Sequence, residues 1–225
     1  MSDKKIKFTS IKLALLGDQA VGKTSICKVL MKKEFDSDQI STIGYDKVEK
    51  NFQIKNGPEM KVVIFDTAGQ ERFRSAALQT VRHVHGLVIV FDVTDRKTFD
   101  NIEHWLNVIK DTFDQPSMVL FGNKSDVDKK KWAVTEDELK IAAEKYKLTF
   151  FETSAKTAKN IDEGFSYVVN EAFNKIKGKE NVVVDIRNKP KSKSGGCFGK
   201  KKKETNDNKN KTKNKKDKNN VGDDF

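Results

Sequence analysis

The chain has only two cysteines in 225 residues, Cys27 in a helix-like stretch and Cys197 in a Gly/Ser/Lys linker. A disulfide framework therefore has little support, and a reducing compartment is favoured. No apolar run approaches the ~20 residues of a membrane-crossing helix. The start, Met-Ser-Asp-Lys-Lys-Ile-Lys, lacks the apolar core of a signal peptide and the glycine after methionine that myristoylation needs. The chain reads as cytoplasmic, and any meeting with a membrane is expected at the membrane surface. His83, His85 and His104 have no cysteine or second carboxylate cluster to make a metal site with them, and none is expected there. No internal repeat is present.

Net positive charge is scarce where folding happens. The formal net charge is +11, but from Arg187 onward 14 Lys/Arg face 5 Asp/Glu, a local +9 that leaves about +2 for residues 1–186. The folded part thus carries no basic face for nucleic acid, and the tail lacks the interleaved aromatics that stack on bases. From Lys189 the composition is Lys, Asn, Ser and Gly, too poor in large apolar residues to offset ordering entropy. Three regions are expected: an N-terminal extension over 1–8, one domain over 9–178 and a disordered basic tail over 179–225.

Strand-length apolar runs recur at Ile11–Leu16, Met60–Phe65, Leu87–Val93, Ser117–Phe121 and Leu148–Phe151, with helical patterns between most of them. That alternation predicts an α/β domain with a parallel sheet covered on both faces. Between Val48 and Phe65, two extended segments flank Asn56-Gly57, a hairpin signal, so one edge is expected to be antiparallel. Thr135 and Glu138 form a capping box ahead of Leu139, Ala142, Ala143 and Tyr146 at helical spacing. Ile161, Phe165, Val168, Val169, Ala172 and Ile176 give the last helix its apolar stripe.

The first of these strands runs into Gly17-Asp18-Gln19-Ala20-Val21-Gly22-Lys23-Thr24, which fits GxxxxGK(S/T) and leads into helix-like Ser25–Met31. Glycines let the backbone curl its N–H groups toward phosphate oxygens, and the helix N-terminus adds its positive end. Lys23 would bridge the β- and γ-phosphates, and Thr24 would place its hydroxyl on Mg²⁺. Asn123-Lys124-Ser125-Asp126 closes the fourth run. A carboxylate there can accept from guanine's ring N–H and exocyclic amine, whereas adenine would leave it unpaired.

GDQAVGKT, Thr42 in STIG, DTAGQ at Asp66–Gln70, NKSD, and ETSAK at Glu152–Lys156 follow one another in an order and spacing that resembles a Ras-superfamily small GTPase. The resemblance covers roughly Lys7 to Lys177. It is nearest to the Rab branch through STIG, DTAGQERFRS, IVFDVTD and the ETSAK-to-helix run. The resemblance implies a three-layer P-loop NTPase fold with a six-stranded, mostly parallel sheet, one antiparallel edge strand and about five helices. It implies GTP/GDP and Mg²⁺ as ligands, held in the phosphate loop by Gly17, Gln19, Ala20, Val21, Gly22, Lys23, Thr24 and Ser25. Asp66 would hold Mg²⁺ through a water, and Thr42 would complete the metal shell only when the γ-phosphate is present. Gly69 would donate its N–H to that phosphate, and Gln70 would position the attacking water, giving Lys23, Thr42 and Gln70 as catalytic residues. Phe35 would lie against the guanine near the ribose, with Asn123, Lys124, Asp126, Ser154, Ala155 and Lys156 completing the base pocket. Implied partners are an exchange factor, a GAP and effectors at the switch regions, met by a monomer that associates reversibly with endomembranes in vesicle trafficking.

The sequence also departs from the family pattern. Gln19 stands where Ras proteins use Gly and Rabs often use Ser, beside the place of the attacking water, and slow intrinsic and GAP-stimulated hydrolysis is expected. After STIG the chain has Tyr45-Asp46-Lys47 in place of the usual aliphatic residue, Asp and Phe. Phe65 replaces the usual Trp, and Thr80-Val81-Arg82-His83-Val84 replaces Tyr-Tyr-Arg-Gly-Ala. The Rab aromatic trio is thus expected to shrink to one aromatic and a charge, weakening common effectors. The alternative function is a pseudo-GTPase scaffold that holds nucleotide without turnover. Finally, Ser194-Gly195-Gly196-Cys197 sits where a Rab chain would normally stop, yet the sequence continues to Asn220-Val221-Gly222-Asp223-Asp224-Phe225 with no terminal cysteine. Standard prenylation is not expected, and Cys197 is the candidate lipidation site.

Overall fold

A computed structural model describes residues 6–35, 42, 45–68, 82–178 and 182–184. Eight strands and five helices occur among them. In chain order they are β1 (Ile6–Phe8), β2 (Ser10–Leu16), α1 (Lys23–Leu30), β3 (Tyr45–Gln53), β4 (Glu59–Thr67), β5 (Gly86–Asp92), α2 (Arg96–Asp100), α3 (Ile102–Thr112), β6 (Ser117–Asn123), α4 (Glu136–Tyr146), β7 (Thr149–Glu152), α5 (Ile161–Lys177) and β8 (Val182–Val184). Six strands form one sheet in the order β3-β4-β2-β5-β6-β7, parallel except for the β3–β4 pair. The hairpin turns at Asn56, whose φ of +56° is the left-handed conformation that asparagine tolerates better than most residues.

Period-two alternation explains why both faces are covered. In β2, Ile11, Leu13 and Leu15 join the core beneath α1 and α5, while Ala14 and Leu16 join the opposite core with Ile102, Trp105 and Ile109 of α3. The predicted stripe of α5 is buried throughout, from Ile161 to Ile176. In α4, Leu139 and Ala142 are buried behind the predicted Thr135–Glu138 capping box, in which each residue bonds the other's backbone N–H.

One pairing lies outside the domain bounds expected from the sequence. β1 and β8 form a separate two-stranded parallel sheet, with Ile6 opposite Val182 and Phe8 opposite Val184. Three-residue strands carry no readable alternation, but Val182-Val183-Val184 is a β-branched run of high strand propensity.

Because β2, β4, β5, β6 and β7 are parallel, their carboxyl ends share one edge of the sheet. Gly17, Asp66, Asp92, Asn123 and Thr153 lie at or next to those ends, which is how residues far apart in sequence come to one place.

Candidate functional site

The loop from β2 to α1 depends on two glycines. Gly17 has φ +146°, and a Cβ there would lie 2.1 Å from the carbonyl oxygen of Val90. Gly22 has φ +97°, and a Cβ there would lie 2.3 Å from Asn123 Nδ2. Any side chain at either place would be both strained and obstructed. Lys23, only 5% exposed, donates from Nζ to the carbonyls of Gly17 (2.9 Å) and Asp18 (2.7 Å), which fixes its ammonium inside the arch of the loop.

Beside that ammonium, Thr24 Oγ1 donates to Asp66 Oδ2 at 2.6 Å and lies 2.9 Å from Thr42 Oγ1. With the Thr24 proton directed to Asp66, the Thr42 hydroxyl is the donor to Thr24. Asp66 is 1% exposed, and its Oδ1 has no hydrogen-bond partner. Burial pushes the Asp66 carboxyl pKa up, against the opposing hydrogen bond from Thr24 and the charge of Lys23. Two hydroxyls and a buried carboxylate with an unpartnered oxygen are a hard, oxygen-only donor set of the kind Mg²⁺ takes with few protein ligands and substrate phosphates. The residues present therefore fit the metal, and Thr24, Thr42 and Asp66 would hold it. Cys27, one turn along α1, is buried and free, and burial raises its thiol pKa well above the ordinary value, so it stays protonated.

The base side is built around Asn123. Its Nδ2 donates to the Val21 carbonyl (2.8 Å) and its Oδ1 accepts from Ala155 N–H (3.2 Å), so one amide ties the phosphate loop to the loop after β7. Ser154 Oγ donates to Asp126 Oδ1 (2.6 Å), bringing together two residues that the sequence motifs list separately. Lys124 adopts φ +65°, and its ammonium lies 2.5 Å from Asp92 Oδ2. Ala155 is buried and Lys156 is exposed. Phe35 is 42% exposed at the end of the segment that follows α1. Gln19 and Ala20 are exposed at the loop tip, Val21 is buried, and Ser25 is half-buried in the first turn of α1. Gly69, Gln70 and Cys197 lie outside the described residues.

Two site residues were missed in the sequence. Asp92 ends β5 and accepts from Thr94 N–H and Thr94 Oγ1 through Oδ1 while Oδ2 meets Lys124. Asp18 accepts from Asn101 Nδ2 (2.7 Å) and Trp105 Nε1 (3.0 Å) of the α2–α3 junction. The signal available was an acid at or just past a strand end, which periodicity alone does not mark.

On the outer face of the hairpin, register sets Lys47 opposite Phe65, and Tyr45 reaches Phe65 diagonally with ring centroids 5.7 Å apart in an edge-on arrangement. Tyr45, which stands at the usual aliphatic position and not at one of the trio's, adds a ring beside Phe65. Beyond it, Glu49 accepts from Lys47 (2.8 Å) and Lys61 (2.6 Å).

A family model described as "Ras family" matches residues 12–174. The chain belongs to the Ras family. Its relatives bear Rab names among others: it is similar to the Ras-related protein Rab-13 of Rattus norvegicus, 37% identical over 171 residues that cover 76% of this chain and 83% of the relative. It is likewise similar to the Ras-related protein RGP2 of Oryza sativa, 40% identical with coverage of 72% and 74%, and to RAB1BV of Beta vulgaris, 35% identical with 82% and 87%. This Ras-family chain is a small GTPase most similar to Rab proteins, with GTP/GDP and Mg²⁺ as its ligands. Among the described residues, no helix is long and apolar enough to cross a membrane.

Proposed function

We propose that this GTPase is a Rab-like switch in vesicle traffic that recruits effectors in its GTP form and is regulated by an exchange factor and a GAP. The observation that carries the reading is the contact of Thr42 with Thr24 at 2.9 Å, next to Asp66. Through the Thr42 hydroxyl, the STIG segment meets the phosphate loop at Thr24. Bound Mg²⁺ supplies neutralisation of the charge on the β- and γ-oxygens. Lys23, fixed by two carbonyls, would reach the same oxygens, and Asp126, held by Ser154, would accept from the base. Gln70 is assigned to orienting water on family resemblance. Loss of the γ-phosphate removes the reason for Thr42 to stay, and the segment around it changes state.

Two measurements test this reading. Protein loaded with a non-hydrolysable GTP analogue should resist proteolysis within residues 36–44 compared with the GDP form, and Thr42→Ala should erase the difference. Equal cleavage of the two wild-type forms would overturn the switch. Phosphate release on adding GTP separates turnover from the pseudo-GTPase alternative, and Gln19→Ser should release phosphate faster if the exposed Gln19 amide slows hydrolysis. Equal rates would sink the Gln19 assignment.

A further inference from the structure

We propose that Asp18 is a positioning residue that latches the phosphate loop to α3 and thereby slows nucleotide release. The inference rests on reading Gly17–Thr24 as the phosphate loop. The side chain and the backbone of Asp18 serve different partners. Its carboxylate accepts from Trp105 Nε1 through Oδ1 (3.0 Å) and from Asn101 Nδ2 through Oδ2 (2.7 Å). Its carbonyl accepts from Lys23 Nζ (2.7 Å). One residue therefore joins the start of α3 to the lysine that faces the phosphates.

The α3 side is a rigid anchor. Trp105 is buried in the core that Ile102 and Ile109 also enter, and Asn101 both ends α2 and caps α3. The loop side needs such an anchor, because Gly17 at φ +146° and Ala20 at φ +61° hold conformations of limited intrinsic stability. A loop free to relax from that arch would carry the Gly17 and Asp18 carbonyls, and Lys23 with them, away from the phosphates. Because the latch joins the phosphate loop to α3, its effect is read in nucleotide retention.

The experiment uses full-length protein loaded with a fluorescent GDP analogue in Mg²⁺ and chased with excess GDP. Asp18→Ala should release the analogue roughly tenfold faster, the scale of a lost charge-assisted hydrogen bond. Trp105→Phe, which keeps the ring and removes the donor, should accelerate release severalfold. The double variant should be no faster than Asp18→Ala, since both remove one connection. Thr135→Ala, which weakens the α4 cap, serves as a control for general destabilisation. The latch is overturned by single variants at the wild-type rate, by acceleration no greater than that of Thr135→Ala, or by effects of Asp18→Ala and Trp105→Phe that multiply. Wild-type protein unable to hold the analogue overturns the phosphate-loop reading and the latch with it, whereas wild-type retention with unmoved variants overturns the latch alone.

Discussion

Asn123 belongs to a motif associated with guanine, yet its amide is spent inside the protein, donating to Val21 and accepting from Ala155. It also fills the space that a Cβ on Gly22 would need, so the two residues constrain each other. Asn123→Ala would leave the Val21 carbonyl and the Ala155 N–H buried without a partner. At about 1–3 kcal/mol for each unpaired group, a loss of roughly 2–6 kcal/mol is expected, with weaker GDP binding as the two loops part. Asn123→Asp keeps the acceptor but sets a buried carboxylate oxygen against the Val21 carbonyl, and should cost at least as much as Ala. Chemical denaturation of nucleotide-loaded protein reads the effect, and an Ala variant as stable as wild type would contradict the bracket. The motif residues were legible because phosphate and guanine chemistry demand particular side chains at fixed spacing. Asp18 and Asp92 were not, because their partners at Trp105 and Lys124 become neighbours only once the sheet places the strand ends together.

Among the elements, α4 shows most directly how a local sequence signal becomes a measurable energy. Glu138 accepts from Thr135 N–H at 2.9 Å and from Arg96 at 2.5 Å, so it closes the cap and also ties α4 to α2. The backbone hydrogen bond from Thr135, then the one from Arg96, lower its pKa from the ordinary 4.5 to about 2. A depressed carboxyl pKa contributes stability above the unfolded value, and that contribution is lost as pH falls through the folded one. Wild-type protein should therefore lose stability between about pH 4.5 and 2 more steeply than Glu138→Gln in matched urea titrations. Thr135→Ala should cost about 1 kcal/mol at neutral pH, as removal of an N-cap does. Unchanged denaturation midpoints for both variants would show the box to be idle. Thr135–Glu138, the α5 stripe and the Asn56-Gly57 hairpin were readable because each is encoded within one element or turn. The β1–β8 pair was not, since it joins three residues near one end of the chain to three beyond α5.

For the molecule as a whole, charge separates two tasks. Residues 1–186 carry about +2 of the net +11, and the segment from Arg187 onward carries the remaining +9 together with Cys197. Nearly neutral folded surfaces leave recognition of nucleotide and partners to specific groups, while the lysines concentrate attraction to an anionic leaflet in one stretch. Each lysine near such a surface contributes about 1 kcal/mol at most, reduced by screening and by the entropy of a polar segment. Durable attachment ordinarily needs a second signal, and an acyl chain on Cys197 would supply it beside Lys200–Lys203. We therefore expect cell-derived protein to carry an added acyl mass on Cys197, and Cys197→Ser to shift it from the membrane to the soluble fraction. Neutralising Lys200–Lys203 should weaken attachment more at low salt than at high salt, because screening already removes much of their effect at high salt. An unmodified Cys197 in membrane-bound protein would refute acylation as the second signal, and attachment insensitive to both the cysteine and the lysines would remove the tail from membrane binding altogether.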